Sequence, residues 1–263
     1  EGGGMEISMK MVCKLSEDGF EVEESKIINL NCKKEFKYTF WKQNNIYAEF
    51  YKDEAIDMLY LSLAVFAADR LILRENGEDA WSREIELYMP VLCVGKWISC
   101  RSLVEEMLSF LTGDRWKICF RERKLTEIEK KAKEKWEKVT EKNVNISKIC
   151  MFSGGLDSCI GALNLLCDKE DASDTVFVSH YGGGKGTVEY QGMLKDAFIN
   201  RFNVDESNFV QNYAAIVTKK GDKKEDTTRS RSFMFFSHAI AYASAMGKEI
   251  ELIIPENGLI SLN

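Results

Sequence analysis

Ser153-Gly154-Gly155-Leu156-Asp157-Ser158 lies between two apolar runs, Ile149-Cys150-Met151-Phe152 and Ile160-Gly161-Ala162-Leu163-Asn164-Leu165-Leu166. The first run has the length and composition of a buried strand, and the second that of a helix with an apolar face, so the six residues form a strand-to-helix turn. Two glycines let the backbone approach a ligand closely and take dihedrals that other residues resist. Free amides of the turn and the dipole of the following helix favour an anion there. Ser153 and Ser158 add hydroxyl donors, and Asp157 can hold a magnesium ion or a network of amides. The reading is a pyrophosphate cradle.

Downstream, Thr175–Ser179, Asn208–Tyr213 and Glu251–Ile254 read as strands, and Thr187–Phe202 and Thr228–Met246 as helices. This alternation predicts right-handed βαβ crossovers and a parallel sheet with helices on both faces, where ligands bind beyond the carboxyl ends of the strands. Each further candidate sits at such an end. His180-Tyr181-Gly182 follows one strand, with glycine for close approach and Tyr181 for stacking. Arg229 and Arg231 open a helix, where the dipole disfavours cations, so an anion bound beside them would explain their position, with Ser230 and Ser232 as neighbouring donors. Glu256 and Asn257 end the last strand and offer a carboxylate and an amide for a purine-like edge.

Toward the N-terminus, Met9–Cys13, Lys37–Trp41, Glu84–Met89 and Trp116–Phe120 read as strands, antiparallel at the start of the chain. Helices are expected from Asp53 to Leu73, apolar nearly all round from Leu59 to Ala68, and from about Ile98 to Leu111 before Gly113. Residues 5–122 thus form a smaller α+β domain, 123–145 a charged, solvated connecting helix, and 146–263 the α/β domain. Glu1-Gly2-Gly3-Gly4 ahead of Met5 reads as an expression scar.

The length, 263 residues, allows two modest domains, and the net charge of −6 disfavours a polynucleotide backbone as partner. Eight cysteines are scattered without a Cys-x-x-Cys pair, which reads as reduced thiols and makes a zinc site within this sequence unlikely. No signal-peptide layout and no apolar run near 18 residues occur, so the cytoplasm is expected and a membrane is not.

The turn Ser-Gly-Gly-x-Asp-Ser resembles the signature of the ATP pyrophosphatase (PP-loop) superfamily, whose members cleave ATP between its α- and β-phosphates. It lacks the lysine of the kinase-type phosphate loop. Phe152–Ser158, Ser179-His180-Tyr181-Gly182, Thr227-Thr228-Arg229-Ser230-Arg231-Ser232-Phe233 and Pro255-Glu256-Asn257-Gly258 together look like the 7-cyano-7-deazaguanine synthase family. The closer likeness is to its divergent relatives in bacterial anti-phage gene clusters, the Qat and type IV CBASS systems. Ala68-Asp69-Arg70, Trp81-Ser82-Arg83-Glu84-Ile85 and Leu111-Thr112-Gly113-Asp114-Arg115-Trp116 are similar to that branch.

The resemblance implies a Rossmann-like, adenine nucleotide alpha hydrolase-like domain that binds ATP and Mg2+. Ser153, Gly154, Gly155, Leu156, Asp157, Ser158, His180, Tyr181 and Gly182 would hold the nucleotide, with Asp157 on the metal. Asp157, Arg229 and Arg231 would be catalytic, and Arg231, Ser232, Glu256 and Asn257 would hold a 7-deazaguanine carboxylate. That acid is adenylated with loss of pyrophosphate and passed to an amine, either ammonia or one on a defence-system protein docked by the N-terminal domain. Housekeeping members bind zinc through a late cysteine cluster that does not occur up to Asn263. Either that part of the pocket lies outside this sequence, or the branch dispenses with the metal. Competing readings are an RNA-modifying PP-loop enzyme and a catalytically silent ATP-binding scaffold.

Overall fold

The structure is a computed structural model and describes residues 8–43, 45–77, 81–167, 174–182, 185–219 and 221–256; for Lys185 it describes the backbone alone. In chain order the elements are β1 (Met9–Lys14), β2 (Ser25–Asn29), β3 (Phe36–Tyr38), α1 (Asp53–Leu71), β4 (Glu84–Val91), α2 (Val94–Ser99), α3 (Arg101–Thr112) and β5 (Arg115–Glu122). They continue with α4 (Glu127–Lys138), β6 (Lys148–Met151), α5 (Leu156–Cys167), β7 (Thr175–Tyr181), α6 (Lys185–Phe202), β8 (Phe209–Ile216), α7 (Arg231–Ala243) and β9 (Glu251–Ile253).

Two compact units form, and they do not follow one boundary near 123–145. One comprises Glu1–Lys37, Ile56–Glu127 and Ile216–Met234; the other comprises Tyr38–Ala55, Ile128–Ala215 and Phe235–Asn263. The sequence reading missed this interleaving because the contacts that assign 38–55 and 216–234 are long-range, and local periodicity carries no trace of them.

In the first unit the sheet order is β2-β1-β4-β5, and every pair is parallel. This corrects the expected antiparallel α+β arrangement. Alternation along β4 suggested a sheet with one wet face, which is commonest in antiparallel sheets. Here a parallel sheet keeps that alternation: Ile85, Leu87 and Met89 are buried, while on the other face Glu84 pairs with Arg115 and Glu86 with Lys117.

Helix α1 supplies much of this unit's core, with Leu59–Ala68 buried on every side, including Ser62. Its buried Asp57 accepts hydrogen bonds from the amides of Leu92 and Cys93 and from Trp97 Nε1, and pairs with Arg123 at 3.1 Å. One carboxylate therefore caps the start of α2 from inside the core. The single helix expected over 98–111 is two, α2 and α3, hinged at Cys100. Gly113 ends α3 with φ +73, a conformation glycine reaches without Cβ strain.

The second unit's sheet runs β3-β8-β7-β6-β9. β6 pairs in parallel with β7 and β9, and β7 with β8. The bonds Thr39 N to Tyr213 O and Val217 N to Glu35 O advance in opposite senses, so β3 joins antiparallel. Residues 37–41, expected as a strand, give only the end of β3 and then a 3₁₀ turn, Phe40–Lys42. On one face of the sheet Cys150, Phe152 and Phe177 pack with Ala162 and Leu166 of α5 and Phe198 of α6. On the other, Asn212, the register partner of His180, accepts a hydrogen bond from Tyr242 of α7 at 2.7 Å. Helices thus cover both faces.

The charged helix α4 is not merely a solvated connector. Glu129 is buried, and Trp136 Nε1 donates to Tyr47 O at 3.0 Å, fastening the helix within the second unit.

Candidate functional site

Residues 153–158 leave the carboxyl end of β6, the strand at which the order reverses: the chain proceeds to β7 and β8 on one side and returns to β9 on the other. In open parallel sheets this reversal opens a crevice for ligands. Gly154 has φ +85, and a Cβ there would lie 2.8 Å from Gln191 Cγ, so glycine is required both by conformation and by space. At Gly161, one turn into α5, a Cβ would lie 2.6 Å from the ring of Pro255, which brings the helix close against the segment following β9.

The turn is held by its own hydroxyls. Ser158 Oγ accepts from Gly154 N at 3.1 Å and donates to Gly155 O at 2.9 Å; Ser153 Oγ donates to Ser158 Oγ at 3.1 Å and accepts from Gly155 N at 3.4 Å. Ser158 is only 3% exposed. Its single hydroxyl proton is held by Gly155 O, so its place is structural rather than that of the expected phosphate donor. Ser153 and Gly155 are exposed, Asp157 is half-buried in the first turn of α5, and Leu156 is 75% exposed.

His180, expected at the nucleotide, is buried at 2% exposure, its ring 5.9 Å from that of His238. Strand alternation directs this side chain into the α7-covered face, away from the face that carries α5 and α6. Tyr181 is half-buried with its ring 5.0 Å from Tyr213, its cross-strand partner. Gly182 and Glu256 are exposed, and Asn257 lies outside the described residues. Among the described residues, no group of three or more His, Cys, Asp or Glu side chains is arranged to hold a metal ion.

Arg229, Arg231 and Ser232 belong to the first unit. Arg229 Nη1 donates to Thr112 O at 2.7 Å, and its guanidinium lies 5.3 Å from the centre of the Trp81 ring. That packing explains a cation at this position without an anion, contrary to the expectation. Arg231 is half-buried at the first residue of α7, with Ser232 exposed beside it.

What sequence reasoning missed is the partner set of these motifs. Asp69, Arg83 and Asp114, from the stretches at 68–70, 81–85 and 111–116, meet in a buried ion cluster. Arg83 Nη2 donates to Asp69 Oδ1 at 2.7 Å and Nε to Asp114 Oδ1 at 3.0 Å, while Arg74 Nη1 pairs with Asp114 Oδ1 at 2.9 Å. Burial alone would lower the Arg83 pKa; the hydrogen bonds and charges of Asp114 and Asp69 outweigh it and raise it. Asp69 Oδ2 also accepts from Ser230 Oγ at 2.9 Å and Thr227 Oγ1 at 3.1 Å, and so fixes the approach to α7. Gln191 was missed as well, because one amide within a helix gives no local signal.

The chain is therefore an α/β protein with an all-parallel four-stranded sheet and a mixed five-stranded one, consistent with a Rossmann-like fold. No protein-family model, curated protein or solved structure matches it. No helix among the described residues is long and apolar enough to cross a membrane.

Proposed function

We propose that this protein is an ATP-dependent C–N ligase of the 7-cyano-7-deazaguanine synthase type, acting in anti-phage defence. The observation that carries the proposal is the Ser-Gly-Gly-x-Asp-Ser turn leaving the carboxyl end of β6 at the reversal of strand order, with Gly154 at φ +85. A glycine-lined turn opening a helix is a site for phosphate oxygens.

In this reading the β- and γ-phosphates of ATP displace the serine oxygens from the amides of Gly154 and Gly155, and the exposed Ser153 hydroxyl turns its proton from Ser158 Oγ to the phosphate. The Gly155 amide is held by a long bond of 3.4 Å to Ser153 Oγ, which a phosphate oxygen replaces at small cost. The dipole of α5 favours the same charge. Asp157 is one carboxylate beside a phosphate site, the donor set magnesium uses when substrate phosphates complete its shell, so the residues present fit that ion. Magnesium would neutralise charge on the phosphates.

A carboxylate oxygen of the 7-deazaguanine acid attacks the α-phosphorus, the bond to the bridging oxygen breaks, and pyrophosphate departs. An amine then attacks the acyl carbon and AMP leaves with the C–O electron pair, giving the amide. Glu256 and Asn257 keep the substrate roles that the resemblance implies, and the amine is ammonia or belongs to a protein. Protein with ATP, Mg2+, 7-carboxy-7-deazaguanine and ammonia is expected to release pyrophosphate in step with AMP, and Asp157→Ala to release none. No pyrophosphate from the unaltered protein overturns the reading.

One observation favours a second reading, a silent ATP-binding module: the amides of Gly154 and Gly155 are already satisfied by serine hydroxyls. Such a module binds ATP without releasing pyrophosphate, so the same assay with a calorimetric titration of ATP separates the two.

A further inference from the structure

We infer that Gln191 is a positioning residue for the turn at 153–158, acting through two backbone carbonyls; the inference rests on the reading of that turn as the pyrophosphate site. Gln191 lies on α6 and is 2% exposed. Its Nε2 donates to Ser153 O at 2.8 Å and to His180 O at 3.1 Å. Those carbonyls belong to the segment leaving β6 and to the end of β7, so one amide ties together the two strand ends that flank the turn. The amide's direction is set in turn by Gln211 of β8, whose Nε2 donates to Gln191 Oε1 at 2.8 Å. Both amide protons and the oxygen are thus engaged in a relay across three adjacent elements. Because Gln191 Cγ lies where a Gly154 Cβ would be, the same side chain also fixes how closely the turn approaches α6.

The physical consequence concerns the amides of Gly154 and Gly155. A network centred on a buried, fully satisfied amide holds its members in one geometry, and a site that needs no rearrangement on binding loses less free energy to ordering. Gln191 makes no contact with a phosphate in this account. It holds the peptide group preceding Gly154, and hence the direction in which the next two N–H bonds point.

The test is steady-state pyrophosphate release by the full chain with ammonia held at a fixed concentration, and ATP and the carboxylate varied separately. Gln191→Ala should raise KM for ATP by about tenfold, the equivalent of losing roughly one buried hydrogen bond's contribution to the turn, and leave KM for the carboxylate unchanged. Gln191→Glu, equal in size, replaces the donor by an acceptor facing two carbonyls. It should show the same defect near about pH 8 and recover toward about pH 5, where the new carboxyl carries a proton to donate. A residue that only stabilised the fold would show no such recovery. Should Gln191→Ala not fold, Gln211→Ala keeps Gln191 and removes only the bond that orients it, with an expected rise of about threefold in KM for ATP. Unchanged KM for ATP in the variants that fold, or equal changes for both substrates, overturns the inference. If the unaltered protein releases no pyrophosphate but binds ATP, the same variants are read by calorimetric Kd with the same expectations. If it binds no ATP, the pyrophosphate reading falls, and this inference with it.

Discussion

The cluster around Arg83 in the first unit and the turn at 153–158 in the second are both dense polar networks, yet they are built from opposite materials. The first is charged and sealed: Arg83, Asp69 and Asp114 have fully buried side chains that pair with one another, with hydroxyls of Thr227 and Ser230 and backbone groups completing their hydrogen bonds. The second is a hydrogen-bond network of two serine hydroxyls, two glycine amides and a glutamine amide, with Asp157 the one charged side chain of the turn and Ser153 and Gly155 open to solvent. A sealed ion cluster has its charges matched internally and no capacity for a ligand. A turn at a helix N-terminus retains the field of the helix dipole, so an incoming anion that brings a cation to Asp157 finds a favourable potential. On the proposed reading, charge density is thus a poor guide to where an anion binds.

That contrast is most directly broken in the first unit. Arg83→Ala leaves the Asp69 and Asp114 carboxylates buried with Arg74 as their remaining cation in the cluster, and is expected to cost about 3–5 kcal/mol in a urea unfolding titration. A loss under 1 kcal/mol would mean that water reaches the cluster. In the second unit, Gly161→Ala drives a methyl into the Pro255 ring and should cost about 1–3 kcal/mol in thermal unfolding, with a loss of ATP affinity as the start of α5 shifts. Ser158→Ala removes the hydroxyl that bridges Gly154 N, Gly155 O and Ser153 Oγ; about 1–2 kcal/mol of stability is expected to go, with weaker ATP binding by calorimetry. Leu156→Ala touches only an exposed side chain and should stay within about 0.5 kcal/mol of the parent. A drop in ATP affinity for that variant alone would sharpen the comparison, because it would reveal a contact to the nucleotide without any role in the fold.

The sequence was most informative where a local signal and its physical cause coincide. The strand-turn-helix around residue 154 needed only an apolar run, two glycines and a helical period, and the αL stop at Gly113 needed one glycine after one helix. Strand direction in the first unit was lost because alternation reports how many faces are wet and says nothing about which way the neighbour runs. His180 shows a related limit: being at a strand end is visible in sequence, but the face it takes depends on the register with β8, which buries it beside His238. Arg229 could be read as an anion ligand until Thr112 and Trp81 were seen beside it, more than one hundred residues away in the chain.

The two units exchange segments along the chain, and this has a consequence for biosynthesis. The first unit needs residues up to Met234, while the second already claims residues 38–55. During translation neither unit is complete before most of the polypeptide has left the ribosome, and residues 38–55 in particular wait for the rest of their unit, which begins at Ile128. Nascent chains arrested shortly before Ile216 should accordingly be bound by chaperones and cut readily by protease, whereas chains released after β9 should resist both.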